Sequence, residues 1–124
     1  MKTLLTFFVL FFSSPLFADW IFFKKNSDGN SFFYDDKTII RNNETILFWT
    51  LVSYKEKDEF GDMSAIVYTE LDCSTIRFKW LDSTYYNQPM GKGDVNANFP
   101  SDEWVYAQPN SVGNRLMNHI CKKY

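Results

Sequence analysis

Short runs of aromatic and β-branched residues alternate along the chain with clusters of Asn, Asp, Gly and Ser, the pattern of strands divided by turns. Trp20–Lys25 is one such run. Asn26-Ser27-Asp28-Gly29-Asn30 ends it with side chains that bond their own backbone and a glycine that accepts positive φ. Ser31–Asp35 and Thr38–Arg41 follow as short strands. Asn42-Asn43-Glu44 then turns the chain into Thr45–Tyr54, the longest strand signal. Ile46, Phe48 and Val52 project to one face of it, and Leu47, Trp49 and Leu51 to the other. Apolar residues on both faces predict a central strand covered on both sides.

Lys55–Asp62 is charged and predicts an exposed hairpin connection. In the strand over Ala65–Cys73, Ala65, Val67, Leu71 and Cys73 share one face, and Ile66, Tyr68, Glu70 and Asp72 the other. Ile76–Leu81 sets Ile76, Phe78 and Trp80 against Arg77 and Lys79, so Glu70 or Asp72 would lie across from Arg77 or Lys79. Tyr85-Tyr86 is expected to end the regular sheet. Asn87–Ser101 has no clear period and reads as a long ordered loop; Trp104–Tyr106 adds one short strand. Pro109-Asn110-Ser111 opens a helix, with Ser111 as N-cap. At about 100° per residue, Val112, Leu116, Ile120, Met117 and Cys121 share an apolar arc. The expectation is an α+β fold: an antiparallel β-sheet of about six strands with a C-terminal α-helix packed on it, one domain over residues 19–124.

Residues 1–18 stand apart. Lys2 is their only charge, Leu4–Phe12 is apolar apart from Thr6, Ser13-Ser14-Pro15 breaks the run, and Leu16-Phe17-Ala18 ends on a small residue. These are the three parts of a secretory signal peptide. The run is too short for a membrane span, which needs about 20 apolar residues. With no cysteine after it, the route to a lipid-anchored N-terminus is closed, and no membrane anchor is expected after cleavage. The expected location is outside the cytoplasm, in the periplasm, at the cell surface or secreted.

Export changes the meaning of the two cysteines. In an oxidising compartment Cys73 and Cys121 are most simply one disulfide, the alternative being two free buried thiols. Composition narrows the rest. Of 124 residues, 45% are hydrophobic and 23% charged, which excludes wholesale disorder. A net charge of −2 gives no bulk attraction to nucleic acid or anionic lipid. One His and two Cys exclude a multi-Cys/His zinc domain.

The order of motifs brings a family into view. A Trp follows the signal, then come Ser31–Asp35, the Trp49 strand, Glu70-Leu71-Asp72-Cys73 followed by Arg77, Met90-Gly91-Lys92-Gly93, Trp104, Pro109-Asn110-Ser111-Val112 and Cys121. In this order the chain resembles the surface-adhesin protein E-like family of small exported bacterial proteins. The resemblance implies an antiparallel sheet with a C-terminal helix joined to it by a Cys73–Cys121 disulfide. It also implies a role in contact with host matrix and serum proteins. The namesake's lipid-attachment cysteine has no counterpart here, and no host-binding segment is carried over.

Candidate chemistry is sparse. His119 borders the apolar arc with no nucleophile specified beside it, and reads as a partly solvated helix residue. Asp58, Glu59 and Asp62 lack the spacing of a calcium loop. Gly91-Lys92-Gly93 lacks that of a phosphate loop. Neighbouring Asp35 and Asp36 point to opposite faces of a strand, unlike a glycosidase pair. No cofactor or metal is expected. Trp20, Trp49, Trp80 and Trp104 are assigned mainly to core filling. Tyr85 and Tyr86, with Met90 and Lys92 of the long loop, are the candidate partner-binding residues. The expected function is a non-enzymatic envelope protein acting through protein–protein contact, including adhesion to host or matrix proteins. The alternative is a periplasmic protein binding a small molecule or envelope component between sheet and helix. Exposed sheet edges would also allow a homodimer.

Overall fold

A computed structural model describes residues 19–124; the expected signal peptide lies outside the described residues. The elements run β1 (Trp20–Lys25), β2 (Ser31–Asp35), β3 (Ile40–Asn42), β4 (Thr45–Ser53), β5 (Ser64–Asp72), β6 (Arg77–Tyr86), a 3-10 turn (Pro89–Gly91), β7 (Val95–Pro100), β8 (Val105–Tyr106) and α1 (Val112–Lys123). All eight strands join one antiparallel sheet in the order β1-β2-β4-β5-β6-β7. β3 pairs with the start of β4, and β8 with the start of β6.

Long strands with apolar residues on both faces take the middle. β4 and β5 pair over their full length, from Thr45–Asp72 to Ser53–Ser64. The expected charge facing is present: Glu70 lies opposite Lys79, and Asp72 opposite Arg77. On one face Tyr34, Ile46, Phe48, Leu71 and Phe78 meet Leu116, Met117 and Ile120 of α1, forming the core. Each such large side chain, fully buried, contributes about 1.5–3 kcal/mol. The Ser111 hydroxyl accepts the Asn114 N–H at 3.0 Å, confirming the N-cap. Cys73 and Cys121 are joined as a disulfide, fixing the last helical turn to the end of β5.

Four expectations need correction. The sheet has eight strands instead of about six. The 87–101 segment is no continuous loop, because its second half is β7. Its Asn residues are compatible with a strand there because Asn96 donates to the Asp62 carboxylate at 2.8 Å, and Asn98 to Asp82 and Thr84, both at 2.8 Å. Tyr85-Tyr86 likewise lies within β6, which continues past Leu81 through a register shift opposite Tyr68/Thr69. Finally, none of the four tryptophans is in the buried core, which aliphatic, Phe and Tyr side chains fill.

Candidate functional site

The face of the sheet opposite α1 carries the candidate site. Strand alternation sends Trp49 of β4 to this face while Phe48 enters the core. Tyr68 lies directly across from Trp49, their rings 4.5 Å apart. Trp20 opens β1 opposite Asp35. With Ile66, Thr84 and Tyr86, these strands make the floor of an open concavity.

One wall is the 3-10 turn. Ser53 and Ser64, facing each other across β4 and β5, hold it in place. The Ser53 hydroxyl accepts the Met90 N–H at 3.2 Å; that of Ser64 accepts the Gly91 N–H at 2.8 Å and donates to the Gln88 carbonyl at 2.6 Å. Gly91 has φ +69°, and a Cβ there would come within 2.5 Å of Ile66 Cδ1. Glycine is favoured there by the backbone angle and by the close approach, since a side chain would be strained and would displace the end of Ile66. The turn covers Leu51, which is fully buried although it points away from the helix.

The rim is polar. Asp35 is buried and committed to its own turn, accepting the Lys37 N–H at 3.0 Å and the Thr38 hydroxyl at 2.8 Å. Lys37 pairs with the Asp19 carboxylate, which raises the Lys37 pKa. Asp82 and Lys92 complete the lining. The result is an aromatic floor with charges of both signs around it, suited to seating a partner's apolar group while its polar groups meet the rim.

Of the four residues singled out from sequence, Tyr86, Met90 and Lys92 line this concavity. Tyr85 does not. Adjacent strand residues face opposite ways, and Tyr85 packs edge-on against Phe99 at 5.9 Å on the helix side. Burial there raises its pKa, and raises that of nearby Tyr54 to about 12. Sequence reasoning missed Trp20 and Trp49 as site residues. The available signal was alternation within each strand, which sets Trp20 against Ile21 and Trp49 against Phe48.

The other chemical candidates are engaged elsewhere. His119 packs against Phe23 and Tyr34, with Nε2 3.4 Å from the Tyr34 hydroxyl. Asp58 accepts the Phe60 and Asp62 amides, closing a turn. Among the described residues no cluster of three His, Cys, Asp or Glu could hold a metal ion. No helix among them is long and apolar enough to cross a membrane.

Comparison with known proteins agrees with this architecture. No curated protein sequence matches the chain. Among solved structures, Haemophilus influenzae protein E matches with a TM-score of 0.61 and 16% identity, over 88% of each chain. Protein E from non-typeable Haemophilus influenzae matches with a TM-score of 0.59 and 15% identity, over 90% of this chain and 80% of that one. At such identity the likeness establishes the fold. The family assignment comes from the sequence itself: the profile described as surface-adhesin protein E matches residues 20–122, and the chain belongs to that family.

Proposed function

We propose that the protein is an exported, non-enzymatic component of the bacterial envelope that works by protein–protein contact, including adhesion to host or matrix proteins. Residues 1–18 serve as its signal peptide, and residues 19–124 act as one domain in the periplasm, at the surface or outside the cell. The observation carrying this reading is the aromatic concavity around Trp49. Trp and Tyr side chains half-buried in a depression, ringed by charge, are the composition of binding hot spots. Family membership supports the adhesive role. The non-enzymatic reading draws support from the cysteines being tied in a disulfide and from His119 packing against aromatic rings.

Two measurements test it. Protease accessibility on intact cells, against a periplasmic control, reports display. Binding of residues 19–124 to immobilised extracellular-matrix proteins, with Trp49→Ala and Lys92→Glu as variants, reports contact. At least a tenfold loss in Trp49→Ala supports the concavity as the contact surface. Equal binding by wild type and both variants removes it, and absence of any matrix or envelope partner removes the adhesive reading.

A second reading also has an observation behind it. The sheet–helix interface expected to hold a small ligand is filled by core side chains, but the concavity brings Thr84, Asp82 and Lys92 toward the aromatic floor. A small polar–aromatic ligand would fit those groups. Native mass spectrometry of protein purified from its own cells would reveal it as a bound mass lost in Trp49→Ala.

A further inference from the structure

The sheet has two long edges, and they differ in chemistry. β1 ends in Lys24 and Lys25 and carries a register shift between Phe22 and Lys24. Lysines on an edge strand discourage strand pairing. β7 has a register shift of its own, Asn96 standing unpaired between Val95 opposite Tyr86 and Ala97 opposite Tyr85, but it has neither lysine nor arginine, and its residues Val95, Asn96, Asn98, Phe99 and Pro100 are exposed. Pro100 lacks an N–H, and proline is accepted in a strand where that position faces solvent. By alternation the Asn98 N–H shares the outward direction, while the Ser101 N–H turns inward to the Leu81 carbonyl at 3.3 Å.

Exposed apolar side chains gather at this edge. Phe60 (76% exposed), Tyr106 (64%), Phe99 (59%), Val95 (55%), Trp80 (48%) and Val105 (48%) all belong to β6, β7, β8 or the turn that Asn96 holds through Gly61 and Asp62. Trp80 and Phe99 stand on the helix side of the sheet, beyond the helix. The charge that segment 94–106 itself carries is of one sign, with Arg77 and Lys79 of β6 drawn onto its Trp104 ring. From Asp94 to Tyr106 there are three carboxylates and no basic residue. Lys79 engages Asp102 at 3.0 Å, leaving Asp94 and Glu103 to flank β7.

We propose that the β7 edge is a strand-addition site for an extended, basic segment of another protein with apolar residues at alternate positions. Backbone pairing along β7 supplies register. Apolar side chains of the guest lie over Trp80 and Phe99, and its basic residues meet Asp94 and Glu103. This surface is separate from the Trp49 concavity and stands whether or not that concavity binds a partner. A second copy offering its own β7 in antiparallel register would bring Asp94 near Asp102 and Glu103, placing like charges together. A second copy offering β1 would leave another β7 free at each step and build an open chain.

The test uses residues 19–124 and three synthetic ten-residue peptides: alternating Lys-Val, the same peptide N-methylated at alternate amides, and alternating Glu-Val. The Lys-Val peptide is expected to bind, slow amide exchange at Asn98, and lose at least tenfold affinity on N-methylation or with Glu in place of Lys. Asn98→Pro removes the outward N–H and is expected to weaken binding at least tenfold. Asn98→Ala keeps that N–H and removes the same side chain with its bonds to Asp82 and Thr84, and is expected to weaken binding clearly less than Asn98→Pro. The proposal is overturned by no binding at millimolar peptide, by equal affinity for the N-methylated peptide, or by protection confined to Trp49 and its neighbours. Particle growth with protein concentration in light scattering, without peptide, would overturn it in favour of self-association. Trp49→Ala is expected to leave peptide affinity unchanged, which keeps this outcome distinct from that of the concavity.

Discussion

Ser53 and Ser64 sit directly opposite one another on β4 and β5, and their hydroxyls anchor the turn that walls the concavity. Two short polar side chains at the ends of long apolar strands thus decide how an element with no regular period of its own is placed. Ser64 matters more because it bonds both the Gly91 amide and the Gln88 carbonyl. Ser64→Ala should lower stability by about 1–2 kcal/mol. Gly91→Ala should cost about 1–3 kcal/mol, through positive φ and the collision with Ile66. Both should expose Trp49 and shift its fluorescence, while Ser53→Ala should have the smaller effect. Chemical denaturation followed by tryptophan emission measures all three.

The disulfide joins residues 48 apart whose Cα atoms lie 5.7 Å from each other. Closing a loop of that length stabilises by about 4 kcal/mol in the chain-entropy model. That is a large share of the roughly 5–15 kcal/mol typical of a whole domain. Reduction, or the Cys73→Ala/Cys121→Ala pair, should lower the denaturation midpoint accordingly. Because the bridge holds the last turn of α1, amide exchange in α1 should rise earlier than in β4 and β5. Exchange measured with and without reductant checks the order.

Much of this architecture is legible in the sequence because hydrophobic alternation and turn residues agree over β1, β2, β4, β5 and α1. β7 is not, since Asn-Ala-Asn-Phe-Pro carries weak strand preference. Its pairing depends on distant acceptors, Asp62 for Asn96 and Asp82 with Thr84 for Asn98, which local reading does not connect. The bulge near Leu81 hides the continuation of β6 in the same way, by shifting alternation partway along a strand. The concavity is half legible. Trp49 and Ile66 declare a shared face once register is known, but the placement of Met90 rests on a turn held by serines from two other strands. Tyr85 and Tyr86 look equivalent in sequence, and become inner and outer only when the strand is extended through them.

At the β5–β6 hairpin, the Ser74 hydroxyl donates to Asp72 at 2.6 Å, and Arg77 Nε adds a bond at 3.0 Å. These donors, the Ser74 hydroxyl foremost, hold the Asp72 carboxyl at about 2, below its ordinary 3.8. A depressed folded-state value means the unfolded chain takes up the proton first as pH falls. The stabilisation is therefore complete above pH 4 and lost between about 4 and 2. Asp72→Asn should be less stable at neutral pH and show a flatter stability profile over that acid window. Arg77→Gln should flatten it less, because the Ser74 bonds remain. Denaturation midpoints at pH 2, 3, 4 and 7 distinguish the three proteins.

Thr69 presents the opposite case, a polar group in the core without compensation. It lies on β5 opposite Phe48, is fully buried, and its Oγ1 has no hydrogen-bond partner among the described residues. A buried hydroxyl left unpaired loses its hydration without replacement, at a cost of about 1–3 kcal/mol. Thr69→Val keeps the branched shape suited to a strand and exchanges that hydroxyl for a methyl group among apolar neighbours. The substitution should raise stability by about 1 kcal/mol and leave binding at both the concavity and the β7 edge unchanged. Thr69→Ser, which retains the hydroxyl and removes the methyl, should instead lower stability by about 1 kcal/mol. Midpoints moving in opposite directions for Val and Ser would establish that the hydroxyl, and not the volume of the side chain, is the unfavourable feature. A loss of stability in Thr69→Val would show that the hydroxyl is satisfied in solution.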